Sequence, residues 1–167
     1  KFNPTFVIIS NESHLHYKTL IPFIKSDIHV FVEKPVALNL SEVNKISYYM
    51  KKTKSITSVG FQTRFNPCIK YIKNLLIKNK SKIISSNFNW LTFLPYHRPW
   101  QNYKKSYAAL KSKGGGVIHS MCHEIDLIYY FFGLPKSLIA FENQKIINIE
   151  SEESISSLLN FSNHNSY

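Results

Sequence analysis

Hydrophobic residues in the first third of the chain occur either in short dense runs or at helical spacing. The dense runs are rich in β-branched residues and show no alternation, which is typical of strands buried on both faces of a parallel sheet. These runs are Thr5–Ile9, Ile28–Val32 and Ile56–Phe61. The spaced apolar residues between the runs predict two helices. Residues 5–61 therefore predict a β-α-β-α-β unit with a parallel sheet and right-handed crossovers.

The pattern changes after Arg64, because helices and strands no longer alternate regularly. Asn66-Pro67 has the order of a helix cap followed by a first-turn proline and predicts a helix to about Lys78. A further helix follows the Gly114–Gly116 segment and ends at Phe132. The stretch between these helices, residues 92–113, is polar and aromatic without a clear period. The predicted strands of this part are Ile83–Leu91, Ser137–Phe141 and Ser154–Phe161.

The composition limits the class of protein. Of the 167 residues, 44% are apolar and 14% are aromatic, which excludes wholesale disorder. No apolar run approaches the length of a membrane span. Two cysteines, Cys68 and Cys122, cannot make a disulfide framework or a four-ligand zinc site, and they fit a reducing cytoplasm. Because residue 1 is Lys and no signal-peptide pattern follows it, we expect a fragment of a longer cytoplasmic protein.

The charge is strongly positive, with 21 Lys and Arg against 10 Asp and Glu. Residues 43–123 hold 15 basic side chains and no acidic one. Such a belt is typical of a surface for nucleic acid or for an anionic ligand. However, 19 of the 21 basic residues are Lys, whereas sequence-reading nucleic-acid proteins favour Arg. A general enrichment in Ile, Lys, Asn and Ser explains the excess more simply, so a nucleic-acid partner is the weaker interpretation.

Polar residues follow each predicted strand of the first unit. In parallel sheets ligands bind beyond the carboxyl ends of the strands, which here carry Ser10-Asn11, Glu33-Lys34-Pro35 and Gln62–Arg64. A partly buried lysine at such an end can exchange a proton with a ligand near neutral pH. The alternative for Lys34 is a turn with solvated charges. Arg64 can hold an anionic group bidentately, or it is an ordinary surface arginine.

The segment after the triglycine carries the other candidate chemistry. His119, His123 and Asp126 are spaced i, i+4 and i+7, so a continuous helix would place them on one face. One interpretation makes His123 a general acid or base. Another makes His119 and His123 a metal pair with Cys122 nearby, but the sequence offers no third ligand at a convincing spacing. The structural alternative is that Asp126 pairs with a neighbouring cation and one histidine belongs to the core.

In this order and spacing the segments resemble the glucose–fructose oxidoreductase/inositol dehydrogenase (Gfo/Idh/MocA) family. The motifs that carry the resemblance are Ser10–His16, Glu33-Lys34-Pro35, Arg64–Pro67, Gly114–Gly116 and His123–Asp126. The resemblance implies a two-domain oxidoreductase that uses NAD or NADP. Residues 1–63 would form the second half of its Rossmann domain. Residues 64–167 would begin an α+β substrate domain with a mostly antiparallel open sheet, through which we expect a homo-oligomer.

The resemblance also implies roles for single residues. The catalytic residues would be Lys34 and His123. The residues beside the cofactor would be Ser10, Asn11, His16, Glu33, Lys34 and Pro35. The residues beside the substrate would be Arg64, His119 and Ser120, and no metal is expected. The intact protein would transfer a hydride between the nicotinamide and a hydroxyl-bearing carbon of a small-molecule sugar or cyclitol.

Two departures from the family pattern matter. The family usually has an acidic residue three or four positions before the histidine, where this chain has Ser120 and His119. The glycine-rich G-x-G-x-x-G loop also does not occur in this sequence. The alternative is therefore a non-catalytic or degenerate relative that binds a nucleotide or sugar, or acts by assembling through its sheet.

Overall fold

A computed structural model describes residues 3–79 and 83–161 of the chain. The first sheet contains three parallel strands in the order β1 (Phe6–Ile9), β2 (His29–Val32) and β3 (Thr57–Val59). The register pairs Ile9 with Val32, and Val32 in turn with Val59. The β-α-β-α-β unit predicted from the hydrophobic pattern is confirmed, and its strands end at one common edge of the sheet.

Two helices, α1 (His16–Lys25) and α2 (Leu40–Met50), pack on this sheet. Right-handed crossovers place them on one side of it, because the strands have the same order in sequence and in space. Asn39 begins α2 by accepting a hydrogen bond from the backbone N–H of Glu42 at 2.9 Å. The core between sheet and helices consists of Ile9, Leu20, Ile24, Val30, Val32, Ala37 and Ile46.

The opposite face of the first sheet is open within the described residues. Successive side chains of a strand point to opposite faces, so that Ile9 is buried whereas Phe6 and Ile8 are 52% and 65% exposed. The expectation of strands buried on both faces is therefore wrong for β1. The sequence shows that Phe6 and Ile8 are apolar, but it does not show that both described helices cover the other face of the sheet.

The rest of the chain contains four α-helices and two strands among its described residues, besides short 3-10 helices. These are α3 (Pro67–Lys78), α4 (Leu94–His97), α5 (Val117–Ser120), α6 (Cys122–Phe132), β4 (Ser137–Glu142) and β5 (Ile155–Asn160). Asn66 begins α3 as predicted, because its side chain accepts a hydrogen bond from the N–H of Cys68 at 2.9 Å. The strands β4 and β5 are antiparallel. Nowhere in the described residues is a helix long and apolar enough to cross a membrane.

The predicted fold class is confirmed, since a parallel sheet with helices is followed by helices and an antiparallel strand pair. Two local expectations are wrong. Residues Ile83–Leu91 form no strand, because no described strand lies beside them to supply hydrogen bonds. Within this stretch the side chain of Ile84 is fully exposed. The single helix expected to end at Phe132 is divided at Met121. The division of the chain after residue 63 stays a prediction.

Candidate active site

Lys34 lies just after β2, at the edge where the parallel strands end. Its Nζ atom donates a hydrogen bond to the carbonyl oxygen of Ser120, the last residue of α5, at 2.8 Å. Both residues are half-buried. An ammonium group from the first part of the chain therefore reaches the short helix that precedes α6 in the second part.

The imidazole of His123, in the first turn of α6, lies close enough to Lys34 to be affected by its charge. The pKa of His123 is lowered, chiefly because burial penalises the charged ring and further because of the Lys34 ammonium group. The carboxylates of Glu124, Asp126 and Glu33 act in the opposite direction. Among the described residues, the buried Nδ1 atom has no hydrogen-bond partner. The ring is therefore neutral near neutral pH and able to accept a proton.

Glu33 places a carboxylate at the same edge of the sheet, beside the backbone of Lys34. The backbone N–H of Lys34 donates a hydrogen bond to the Glu33 carboxylate at 3.3 Å. A Cβ atom at Gly60, just after β3, would lie 3.3 Å from both carboxylate oxygens, so the glycine leaves room for this side chain. Pro35 follows through a cis peptide bond. The ends of β2 and β3 thus hold the carboxylate and the ammonium group at one edge.

His16 connects the ends of the first two strands. It is only 1% exposed, whereas Ser10 and Asn11 at the end of β1 are exposed. The Nδ1 atom of His16 lies 2.7 Å from the carbonyl oxygen of Pro35, and its Nε2 atom lies 2.9 Å from the carbonyl oxygen of Asn11. The ring therefore joins the loops after β1 and β2 from inside the core. A cofactor role for His16 would act through the position of these loops.

Arg64, in the short 3-10 helix Gln62–Phe65 that follows β3, is held by Asp126 of α6. Its Nε atom and one terminal nitrogen donate hydrogen bonds to the two carboxylate oxygens at 2.7 and 2.5 Å. This bond raises the pKa of Arg64. The pairing of Asp126 with a neighbouring cation, one of the alternatives from the sequence, is thus observed. A substrate contact of Arg64 stays a prediction, and it would have to compete with this carboxylate.

The end of α5 carries the other two predicted substrate residues. His119 and Ser120 are half-buried, and in the described part of the chain the buried Oγ atom of Ser120 lacks a hydrogen-bond partner. Because the helix is divided at Met121, His119 and His123 do not share the face of one helix. Cys122 follows, and burial raises the pKa of its thiol. The described His, Cys, Asp and Glu residues form no group of three that could hold a metal ion.

The residues at this edge fit the nicotinamide end of a dinucleotide. The ammonium group of Lys34, the neutral ring of His123 and the unpartnered hydroxyl of Ser120 can form hydrogen bonds with ribose hydroxyls and a carboxamide. They lie beyond the carboxyl ends of parallel strands, where ligands of such sheets bind. The sequence given holds no G-x-G-x-x-G loop for the pyrophosphate.

The partner of the triglycine segment is a functional feature that the motifs do not reveal. A Cβ atom at Gly116 would lie 2.1 Å from a carboxylate oxygen of Glu152. This carboxylate also accepts a hydrogen bond from the backbone N–H of Ile118 at 3.1 Å. The glycine therefore permits the close approach that fixes the start of α5 and, with it, the carbonyl group of Ser120. An acidic residue 34 positions from its partner carries no local signal in a sequence.

Comparison with known proteins finds similarity to an oxidoreductase family. Residues 1–61 match the family model GFO_IDH_MocA, described as an oxidoreductase family with an NAD-binding Rossmann fold. The myo-inositol 2-dehydrogenase of Thermotoga maritima is 26% identical over 131 residues, which cover 78% of this chain and 37% of that protein. The scyllo-inositol 2-dehydrogenase (NAD(+)) of Bacillus subtilis is 28% identical over 130 residues, which cover 76% and 35%.

A solved structure supports the same fold. The WlbA dehydrogenase from Bordetella pertussis, in complex with NADH and UDP-GlcNAcA, matches 95% of this chain and 46% of its own with a TM-score of 0.80 and 20% identity. The chain thus spans about a third of the length of the two curated relatives and about half of that structure. The resemblance inferred from the motifs is confirmed, and the expected nicotinamide cofactor agrees with the NAD-binding description of the family.

Proposed function

We propose that this chain is part of a dehydrogenase of the Gfo/Idh/MocA family that acts on a sugar or cyclitol. Its residues 1–61 match the model of that family. The reaction is hydride transfer between a nicotinamide and a carbon that bears a hydroxyl group. The proposal is carried by the contact of Lys34 with Ser120, three residues before His123. An ammonium group and an imidazole from the two parts of the chain therefore lie together beside the ends of the parallel strands.

When bound, the nicotinamide accepts or supplies the hydride. Lys34, held by the carbonyl group of Ser120, donates a hydrogen bond to the substrate hydroxyl. This bond orients the carbon atom that bears the hydroxyl group. His123 accepts the hydroxyl proton in the oxidation direction. We assign this proton to Nε2, because Nδ1 is buried and cannot reach a substrate. The lowered pKa of His123 keeps the ring in the neutral form that this step requires.

The curated relatives support the class of substrate. Two of them, which cover 78% and 76% of this chain, are named for myo-inositol and scyllo-inositol, which are cyclitols. The WlbA structure holds a nucleotide sugar. A polyhydroxylated ring also suits a site that offers an ammonium group and an imidazole, since each of them can form a hydrogen bond with a hydroxyl group.

The test is the replacement of Lys34 in the intact protein, with NAD(P)H formation followed by fluorescence over a panel of sugars and cyclitols. Lys34→Ala should lower kcat by at least about 100-fold, because the proton-transfer pair loses its orienting member. Lys18→Ala, an exposed lysine on α1, is the matched control and should stay near wild type. A kcat of Lys34→Ala within about threefold of wild type would show that Lys34 has no such role.

The second candidate is a non-catalytic relative that binds a nucleotide or sugar. It is favoured by one observation, namely that the acidic residue of the family is replaced by His119 and Ser120. If this candidate is correct, NADH should bind and its fluorescence should change, while no sugar or cyclitol in the panel is turned over. Turnover of one panel member at a rate abolished by Lys34→Ala would exclude it.

Assembly and location complete the proposal. We propose a homo-oligomer through the second sheet, because every residue of β4 is exposed, including Leu138, Ile139 and Phe141. Light scattering of the wild type and of Phe141→Glu tests this, with a smaller mass expected for the variant. An unchanged mass would place the interface elsewhere.

We also propose a cytoplasmic location. Cys68 and Cys122 are both free thiols, and free thiols are typical of a reducing compartment.

A further inference from the structure

The ion pair between Arg64 and Asp126 lies where the second part of the chain begins, and it joins the turn after β3 to α6. Asp126 is 9% exposed, and both of its carboxylate oxygens accept hydrogen bonds from the same guanidinium group, at 2.7 and 2.5 Å. Two parallel bonds fix the direction as well as the distance between partners. The pair therefore sets the orientation of α6 relative to the end of β3.

The same guanidinium group leads to His123 through an aromatic ring. The Arg64 guanidinium carbon lies 5.8 Å from the centre of the Phe61 ring and 5.1 Å from that of Tyr130. The Phe61 ring in turn contacts the His123 ring edge to face, with 6.1 Å between their centres. His123 and Asp126 also lie one turn apart on α6. Two routes, one through Phe61 and one through the helix, thus connect the ion pair with the imidazole.

We propose that Arg64 and Asp126 are positioning residues, which hold His123 at a set depth beside Lys34 by fixing α6 against the end of β3. In this proposal the guanidinium group of Arg64 binds the carboxylate of Asp126 instead of an anionic group of the substrate. The inference that this positioning matters for catalysis rests on the proposed function, in which His123 accepts the substrate proton. The position of His123 itself can be measured without any turnover.

An exposed ion pair between the two parts of the chain provides the contrast. Nζ of Lys113 lies 3.1 Å from a carboxylate oxygen of Glu12, and the two side chains are 37% and 49% exposed. A single solvated ion pair is weak and holds no fixed direction. Breaking it should leave His123 where it is.

The pKa of His123 reports how deeply its ring is buried and how far the ring lies from the Lys34 ammonium group. The charged groups that act on the ring are Lys34 and Glu33 from the end of β2, and Glu124 and Asp126 from α6. Burial and the Lys34 charge lower its pKa, so that a ring that moves outward should titrate closer to the ordinary pH. The charge of the residue at position 64 must stay constant for such a shift to report geometry alone.

The test compares His123 in wild type, Arg64→Lys and Lys113→Gln by NMR of ring carbon-labelled histidine over a pH series. Arg64→Lys keeps the charge but cannot form the bidentate bond. We expect its His123 titration midpoint to rise by a few tenths of a pH unit or more, while Lys113→Gln stays within the error of wild type. An unchanged midpoint in a folded Arg64→Lys variant overturns the proposal. An equal rise in both variants overturns it too.

If Arg64→Lys does not fold, Asp126→Glu is the second variant, because it keeps both charges while the longer side chain changes the geometry of the bidentate bond. A raised midpoint in this variant again supports positioning, and a midpoint at the wild-type value contradicts it. Kinetics then separate the two proposals. A raised midpoint together with full activity of Lys34→Ala would refute the proposed function and leave the positioning of His123 in place.

Discussion

The two parts of the chain differ in what holds their side chains in place. The first sheet packs on a continuous core in which Leu20, Ile24 and Val32 are completely buried. In the second part every residue of β4 is exposed. Polar bonds hold this part beside the first, such as Lys34 to Ser120 and, where the second part begins, Arg64 to Asp126. The comparison teaches that hydrophobic packing stabilises the first part, whereas directional polar bonds set the geometry between the parts.

The largest expected effect is on the stability of the first part. Ile24→Ala removes a completely buried side chain and should lower the free energy of unfolding by about 3 kcal/mol. Ile84→Ala, at a fully exposed side chain of the second part, is the matched control and should change it by less than about 0.5 kcal/mol. Urea denaturation of both variants measures the difference. Similar losses in both would mean that the core is not confined to the first part.

A smaller effect is expected from the ion pair. Arg64→Leu leaves the Asp126 carboxylate buried without its partner and should lower the free energy of unfolding by about 2 kcal/mol. The double variant with Asp126→Leu removes both charges and should lose less than the single variant. Lys113→Ala, which breaks the exposed pair with Glu12, should cost less than about 1 kcal/mol. A double variant less stable than Arg64→Leu would show that the charges are not coupled.

The smallest effect is a pH dependence of stability that comes from His123. Because its pKa is lowered in the folded state, the unfolded chain binds more protons below the ordinary histidine pKa of about 6.5. The contribution of His123 to stability should therefore be constant above that pH and fall as the pH decreases from about 6.5 through the lowered pKa. His123→Gln should show a weaker loss over this range in urea denaturation. Parallel curves for both proteins would argue against a buried ring.

The features that the sequence predicts are those with a local signal. Dense β-branched runs and helical spacing identify the β-α-β-α-β unit, and the strand end at Lys34 follows from it. The features it does not predict depend on pairs far apart in the chain. Arg64 and Asp126 are separated by 62 residues and Gly116 meets Glu152 only in the folded chain. Neither pair leaves a periodic pattern.

Two errors in the second part have the same cause. Residues Ile83–Leu91 have the composition of a strand, but strand formation depends on a neighbour that composition does not reveal. The break at Met121 separates His119 from His123 although the spacing of both residues suits one helix. Local pattern therefore identifies candidate residues such as His123 and Lys34, and only the tertiary structure shows which of them lie together.

The central claim is that the ammonium group of Lys34 and the imidazole of His123 share one crevice. The most direct measurement is the NMR titration of His123 in wild type and in Lys34→Met, which keeps most of the side-chain volume but removes the charge. The account predicts a wild-type midpoint below about 6.5 and a higher midpoint in the variant, since one of the two causes of the lowered pKa is gone. Equal midpoints in the two proteins would contradict it.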